Sequence, residues 1–434
     1  MRRTLVLLFV LHLFTRIAAI SFFGVFNNYA HQNDSAWLVN FGEKAAGLNF
    51  DFELNRFIAS PLYPVIIGAL KIVFSDRWNI TLIILQLVLS ALSGVYLYLT
   101  GLLLFNNRKI ALLASLIFSV FPLTLWYTNT FSQDCIFQYL FIMTIYFLVK
   151  GIRQSSMSAI AAAGIFLSLS YLTKSHILLF SIFVPLVFFH YFRFRKETFI
   201  YSITIALIAL LFSIPYGLYT YHQYGTYVLS SNGAGYQFYL GNTEAGYRTI
   251  VDVPSKNSGD YQLLADVNNT AGYFNGSQSH YDSLLSLPQK TKQHIFLNEG
   301  IAWIRQNPDK FLRLKAWDIF LFLFPGVSWQ HYSFSNWLFS FLISLPVYAF
   351  AYSAIFLLLK KRDNSAIPAV YIMLTMLLFS TIWYVQNRFR TITIEPFYIL
   401  YASYVLAPLL DKIPMVQPAY TAVSNFFHRP VSSR

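Results

Sequence analysis

In this chain of 434 residues, 56% are hydrophobic, 19% aromatic and only 11% charged, against about 25% charged in ordinary soluble domains, which excludes a soluble globule. The formal net charge is +13, but the basic residues are scattered between apolar runs and form no stripe, which sets nucleic acid aside. A lone Cys135 excludes an internal disulfide and any cysteine-based metal site.

After Met1-Arg2-Arg3, the apolar run from Thr4 to Phe26 is too long for a signal peptide and has no small-residue cleavage site, so it reads as a retained first helix. Apolar runs of about 18 residues or more can cross a hydrocarbon core about 30 Å thick. Ten crossings are expected: Leu5–Phe26, Asn79–Leu104, Ile110–Tyr127, Cys135–Val149, Met157–Leu172, Ile177–Phe192, Phe199–Tyr219, Asn336–Leu359, Ile367–Val385 and Pro396–Leu409. The fold class is therefore an all-α polytopic membrane protein. It reads as a single transmembrane domain over residues 1–410, with 411–434 a tail.

Alternating crossings put the short basic loops on one side: Arg2-Arg3, Arg108-Lys109, Lys150 with Arg153, Arg193 to Lys196, and Lys360-Lys361-Arg362. The positive-inside rule makes that side, with both termini, cytoplasmic. Of the 18 acids, only Glu197, Asp363 and Asp411 fall there, leaving 15 outside. Arg16 lies inside the first helix, where it is costly unless it faces the bundle, paired with a buried carboxylate or with backbone.

Two external segments are long, 27–78 and 220–335, and long loops in membrane proteins often hold a site or a lid. In the first, Ser60-Pro61-Leu62-Tyr63-Pro64 opens a short apolar stretch to Phe74 containing Lys71, which suits a helix lying at the interface. In the second, Asn-, Gly- and Ser-rich linkers between Ser230 and Ser286 precede an amphipathic helix from about Thr291 to Gln306. Asn307-Pro308-Asp309 breaks it. The following run from Phe311 to Pro325 carries Arg313, Lys315 and Asp318 and reads as juxtamembrane. No glycine-rich phosphate loop is present, so ATP is not expected as donor.

Four places can carry chemistry. Asp34, just beyond the first helix in Asn33-Asp34-Ser35-Ala36-Trp37, is either a base for an acceptor hydroxyl or a helix cap. Asp134, after Asn129-Thr130-Phe131-Ser132-Gln133, is either a site carboxylate or an acid at a helix N-terminus. Lys174, in Leu172-Thr173-Lys174, either snorkels or supplies a point charge to a lipid-linked phosphate. Arg388 and Arg390, in Arg388-Phe389-Arg390, run against the positive-inside trend. Their guanidinium forks suit phosphate oxygens, with Glu395 as the competing partner.

Taken in order, Asp34, Pro61-Leu62-Tyr63-Pro64, Asp134, Leu172-Thr173-Lys174, Gly241-Asn242, Asn307-Pro308 and Arg388-Phe389-Arg390 with Glu395-Pro396 resemble the integral-membrane glycosyltransferases of the C superfamily. The likeness is to bacterial relatives of protein O-mannosyltransferases and lipid A aminoarabinose transferases, and it spans nearly the whole chain. It implies an enzyme of the bacterial inner membrane that transfers a sugar from a polyprenyl-phosphate donor, usually with inversion, to a glycan, lipid or protein acceptor on the extracytoplasmic face. Asp34 would be the general base, Asp134 would position the acceptor or a charged partner, and Lys174 and Arg388, with Arg390, would hold the donor phosphate. Many relatives carry a second acid where Ser35 stands here, so a divalent metal is not indicated and no cofactor is expected. The competing readings are a lipid-linked glycan flippase and a surface-glycan polymerase or ligase. A flippase calls for charge near the membrane midplane, where Arg16 is the one Lys, Arg, Asp or Glu expected.

Overall fold

The computed structural model describes residues 1–23, 33–54, 56–128, 130–252, 283–284, 286–329, 332–383, 386–414 and 417–428, with the backbone alone at 22–23, 33–35 and 387. It is helical apart from a two-residue antiparallel hairpin, β1 (Glu53–Leu54) and β2 (Phe57–Ile58), with Glu53 opposite Ile58. Where backbone is surrounded by hydrocarbon, a helix satisfies its own hydrogen bonds, which is why apolar runs become helices here.

The first helix is α1 (Arg2–Phe23), followed by α2 (Asn33–Ala46) and, after the hairpin, α3 (Leu62–Phe74). A 3-10 turn over Ser75–Arg77 joins α3 to α4 (Trp78–Phe105), so the expected interfacial helix and the second crossing form one apolar stretch over Leu62–Phe105. The expected third crossing is broken. Its two pieces, α5 (Arg108–Val120) and α6 (Pro122–Thr128), meet at 59°, because Pro122 has no N–H to continue the ladder. Next come α7 (Asp134–Gln154), α8 (Met157–Thr173), α9 (Leu178–Phe192) and α10 (Lys196–Tyr224).

The long external segment is more ordered than its composition suggests. Within the stretch expected to be linker, α11 (Ala234–Gly241) and α12 (Glu244–Ile250) bury Tyr236, Tyr239 and Tyr247, while residues 253–282 lie outside the described residues. Then α13 (Gln289–Gln306) ends at Asn307, and α14 (Pro308–Leu323) starts on Pro308 as its first residue, where a missing N–H costs nothing. The last elements are α15 (Phe334–Lys360), α16 (Ile367–Ile382), α17 (Asn387–Thr393), α18 (Glu395–Leu410) and α19 (Gln417–His428). In α19, the carbonyl of Phe427 accepts from Thr4 Oγ1 at 2.6 Å, so the stretch read as a tail folds back on α1.

Seven helical stretches among the described residues are long and apolar enough to cross a membrane, or eight if the bent α5–α6 pair counts as one span. The expectation was ten. The difference lies in α8 and α18, apolar helices of 17 and 16 residues. Lipid-facing surface is plain on α10, where Ile203, Leu207 and Leu211 are exposed, and on α15, where Phe339 and Leu342 are. By contrast α7 is enclosed, with Phe137, Phe141, Ile142 and Ile145 in the main core.

The ion pairs keep to the two groups of charge read from the sequence. Lys109 and Asp411 pair at 2.7 Å within the basic-loop group. Lys44–Asp51, Lys71–Glu43 and Lys310–Glu244 pair within the other. In α14, Lys315 and Asp318 form a buried pair at 3.0 Å that also holds the Gly241 carbonyl, locking α14 to the end of α11. Burial pushes the Asp318 carboxyl up to about 6, against the pull of the Lys315 ammonium.

Candidate functional site

Asp134 is the first residue of α7, where the positive end of the helix dipole favours a carboxylate. It is only 1% exposed, which would be prohibitive for an unpaired charge. Lys174 meets it with Nζ 2.9 Å from Oδ1, and Arg388 Nε stands 3.7 Å from Oδ2. The Ser132 hydroxyl donates to Oδ2 at 2.7 Å. Lys174 reaches this position because it caps α8 in an extended conformation, leaving the helix before the 3-10 turn over Ser175–Ile177. Arg388 is set in the first turn of α17, which Gln138 of α7 ties down by donating to the Thr391 carbonyl at 3.4 Å.

Phe389 organises the cations. Lys174 Nζ lies 5.3 Å and Arg388 Cζ 6.0 Å from its ring centre, within reach of cation–π attraction. The other contacts of that ring are His176 at 5.0 Å and Phe379 at 5.2 Å. Lys174 is covered by this packing, whereas the Arg388 side chain is 32% exposed. One carboxylate and two cations give the cluster a net charge of +1.

Arg390, although two residues from Arg388, faces another way. It is buried, pairs with Glu395 at 3.3 Å and donates to the carbonyls of Leu321, Phe322, Phe324 and Gly326 at the end of α14. A cation there complements the negative end of the helix and satisfies carbonyls that have no helical partner. Gly326 has φ +80°, and a Cβ on it would stand 2.8 Å from the Phe341 nitrogen, so this turn requires glycine. Glu395 also accepts from Tyr348 Oη at 2.7 Å.

Asp34 stands in the first turn of α2, and its side chain lies outside the described residues. Leu38, one turn on, is buried in one apolar cluster with Tyr63 and Ile67 of α3 and Ile136 of α7. The structure thus gathers Asp134, Lys174 and Arg388 and sends Arg390 to the end of α14. Sequence reading missed Ser132, Phe389 and Gln86. Gln86 gave a signal, as an amide in the middle of the apolar run of α4. Among the described residues no three His, Cys, Asp or Glu side chains converge as metal ligands would.

Residues 59–219 match the family model for dolichyl-phosphate-mannose-protein mannosyltransferases, a stretch that includes Asp134 and Lys174. No curated protein sequence matches. Among solved structures, the chain is similar to the archaeal oligosaccharyltransferase AglB from Archaeoglobus fulgidus in complex with an inhibitory peptide and a dolichol-phosphate. That likeness has a TM-score of 0.54 at 14% identity, over 99% of this chain and 52% of that one. The Archaeoglobus fulgidus oligosaccharyltransferase in complex with Zn and sulfate gives 0.54 at 12% identity, over 98% and 52%. The same enzyme tethered to an acceptor peptide containing the NVT sequon gives 0.56 at 13% identity, over 98% and 53%. The chain spans about half the length of these proteins, and at such identities the likeness is one of fold. The segment 59–219 is thus similar to the dolichyl-phosphate-mannose-protein mannosyltransferases, a family of membrane glycosyltransferases, and the chain as a whole shares its fold with the oligosaccharyltransferases.

Proposed function

We propose that this protein transfers a sugar from a polyprenyl-phosphate donor to a hydroxyl-bearing glycan, lipid or protein acceptor on the extracytoplasmic face of a bacterial inner membrane, with inversion. The observation that carries this reading is the Lys174–Asp134–Arg388 cluster. As the bond between the anomeric carbon and the phosphate oxygen breaks, its electron pair passes to the phosphate, and fixed positive charge stabilises that developing charge. Arg388, the exposed member, meets the phosphate first, and Lys174 engages it as the ring of Phe389 gives way. Asp134 is then the charged partner that holds both cations in register. Arg390 serves the site by fixing the end of α14.

Asp34 acts as the general base: the acceptor oxygen attacks the anomeric carbon while its proton passes to that carboxylate. In this reading α8 and α18 also cross the membrane, giving ten crossings with both termini cytoplasmic, and α3 and α14 lie at the external interface. Asp34→Asn tests the assignment in a membrane assay with a supplied lipid-linked sugar. Transfer should be lost with donor binding retained, and near wild-type turnover rejects Asp34 as the base.

A further inference from the structure

Arg16 is fully buried in α1, yet no carboxylate pairs with it among the described residues. Its partners are oriented instead. Nε donates to Ser90 Oγ at 2.9 Å, and Nη1 to His12 Nδ1 at 2.9 Å and to the Ser119 carbonyl at 3.3 Å. Ser119 lies at the end of α5, beside the break at Pro122, so the guanidinium takes up a carbonyl near the interrupted ladder. An arginine has no acceptor, so His12 Nδ1 must accept, which leaves its Nε2–H to donate to Ser115 Oγ at 2.8 Å and Ser115 to donate to the Gly94 carbonyl at 3.0 Å.

The same arginine leads to Asp134. Thr128 Oγ1 donates to the Thr124 carbonyl at 3.3 Å, so in its 3.0 Å contact with Ser90 Oγ the Ser90 hydroxyl is the donor. Gln86 then bridges the turn, donating to the carbonyls of Thr128 and Thr130 at 3.1 and 3.0 Å while accepting from Tyr63 Oη at 3.0 Å. Thr130 Oγ1, which donates to the Tyr127 carbonyl at 3.3 Å, stands 2.9 Å from Ser132 Oγ, whose own proton goes to Asp134. These contacts join the charge in α1, through the turn between α6 and α7, to the carboxylate that opens α7.

We infer that Arg16 is a positioning residue of the phosphate site: through Ser90, Thr128 and the turn that Gln86 braces, it fixes the carboxylate of Asp134 and thereby the spacing of Lys174 and Arg388. The inference rests on the phosphate-site reading above.

The test is a double-mutant cycle on the full chain in lipid nanodiscs, titrated with undecaprenyl phosphate. Arg16→Met and Ser132→Ala should each weaken binding about tenfold, as loss of one charge-assisted hydrogen bond does. Combined, they should weaken it no further than either alone, because both act on one path. Arg16→Lys, which keeps the charge and one donor direction, should recover part of the loss. Gln86→Met probes the same turn without touching the charge and should behave as Arg16→Met does, which keeps the test open if that variant folds poorly. Multiplying effects, or unchanged affinity in Arg16→Met and Gln86→Met while Asp134→Asn weakens binding, overturns the inference alone. Unchanged affinity in Asp134→Asn overturns the phosphate-site reading and this inference with it.

Discussion

The Lys174–Asp134 pair allows stability and function to be separated. Both side chains are almost wholly buried, so Lys174→Met strands a carboxylate in the bundle. Breaking a buried ion pair from one side costs about 3–5 kcal/mol. The lower end is expected here, because Ser132 still donates to Asp134 and Arg388 remains 3.7 Å away. Asp134→Asn strands the ammonium at a similar cost. The double variant removes both charges, retains an oxygen for Ser132 and should recover most of the loss, leaving a coupling of about 2–3 kcal/mol. Unfolding by sodium dodecyl sulfate, followed through tryptophan fluorescence, measures all four proteins. The double variant should be folded yet bind undecaprenyl phosphate far more weakly than wild type. Additive losses in stability would refute the ion-pair reasoning, and wild-type binding by the double variant would refute the phosphate site.

The two arginines of α17 should fail in opposite ways: Arg390→Gln orphans the carbonyls at the end of α14 and lowers stability by about 3–5 kcal/mol with donor affinity kept in the folded fraction, whereas Arg388→Gln weakens donor binding with little loss of stability. Melting curves beside phosphate titrations decide, and equal weakening in both would return Arg390 to the donor site. Gly94→Ala places a Cβ 2.1 Å from the His12 ring, so α1 and α4 must part at a cost of about 1–3 kcal/mol; His12→Ala in the same chain should restore the thermal stability. Burial would raise the Asp51 carboxyl, but Tyr224, Lys44 and the Glu53 N–H outweigh it and hold it below its usual range. Its stabilising contribution is therefore complete above about pH 4 and is lost as pH falls through the lowered value. Limited proteolysis of the first external segment against pH should show that acid loss, and Asp51→Asn should flatten it.

Much of the architecture was legible because the membrane imposes one rule on every apolar run. The helices, the stop at Asn307-Pro308 and the sorting of charges into two groups all follow from hydropathy and from proline's missing N–H. The kink at Pro122 was not legible, since the run from Ile110 to Tyr127 is apolar on both sides of it. Nor were α11 and α12, which lie inside a Gly-, Asn- and Ser-rich stretch that suggests linker, while their Tyr236, Tyr239 and Tyr247 are buried.

The candidate site divides the same way. Residue types and order singled out Asp134, Lys174, Arg388 and Arg390, because acids and cations at helix ends are few in such a chain. Only the tertiary structure decided that Lys174 and Arg388 converge on Asp134 while Arg390 turns to the end of α14. Two arginines on one short helix, two residues apart, project in different directions, and the partners that claim each come from α7, α14 and α18. Arg16 shows the limit most sharply: its cost was visible in the sequence, but the hydroxyls and carbonyls that meet it lie on α4 and α5, brought within reach by packing that no local pattern records.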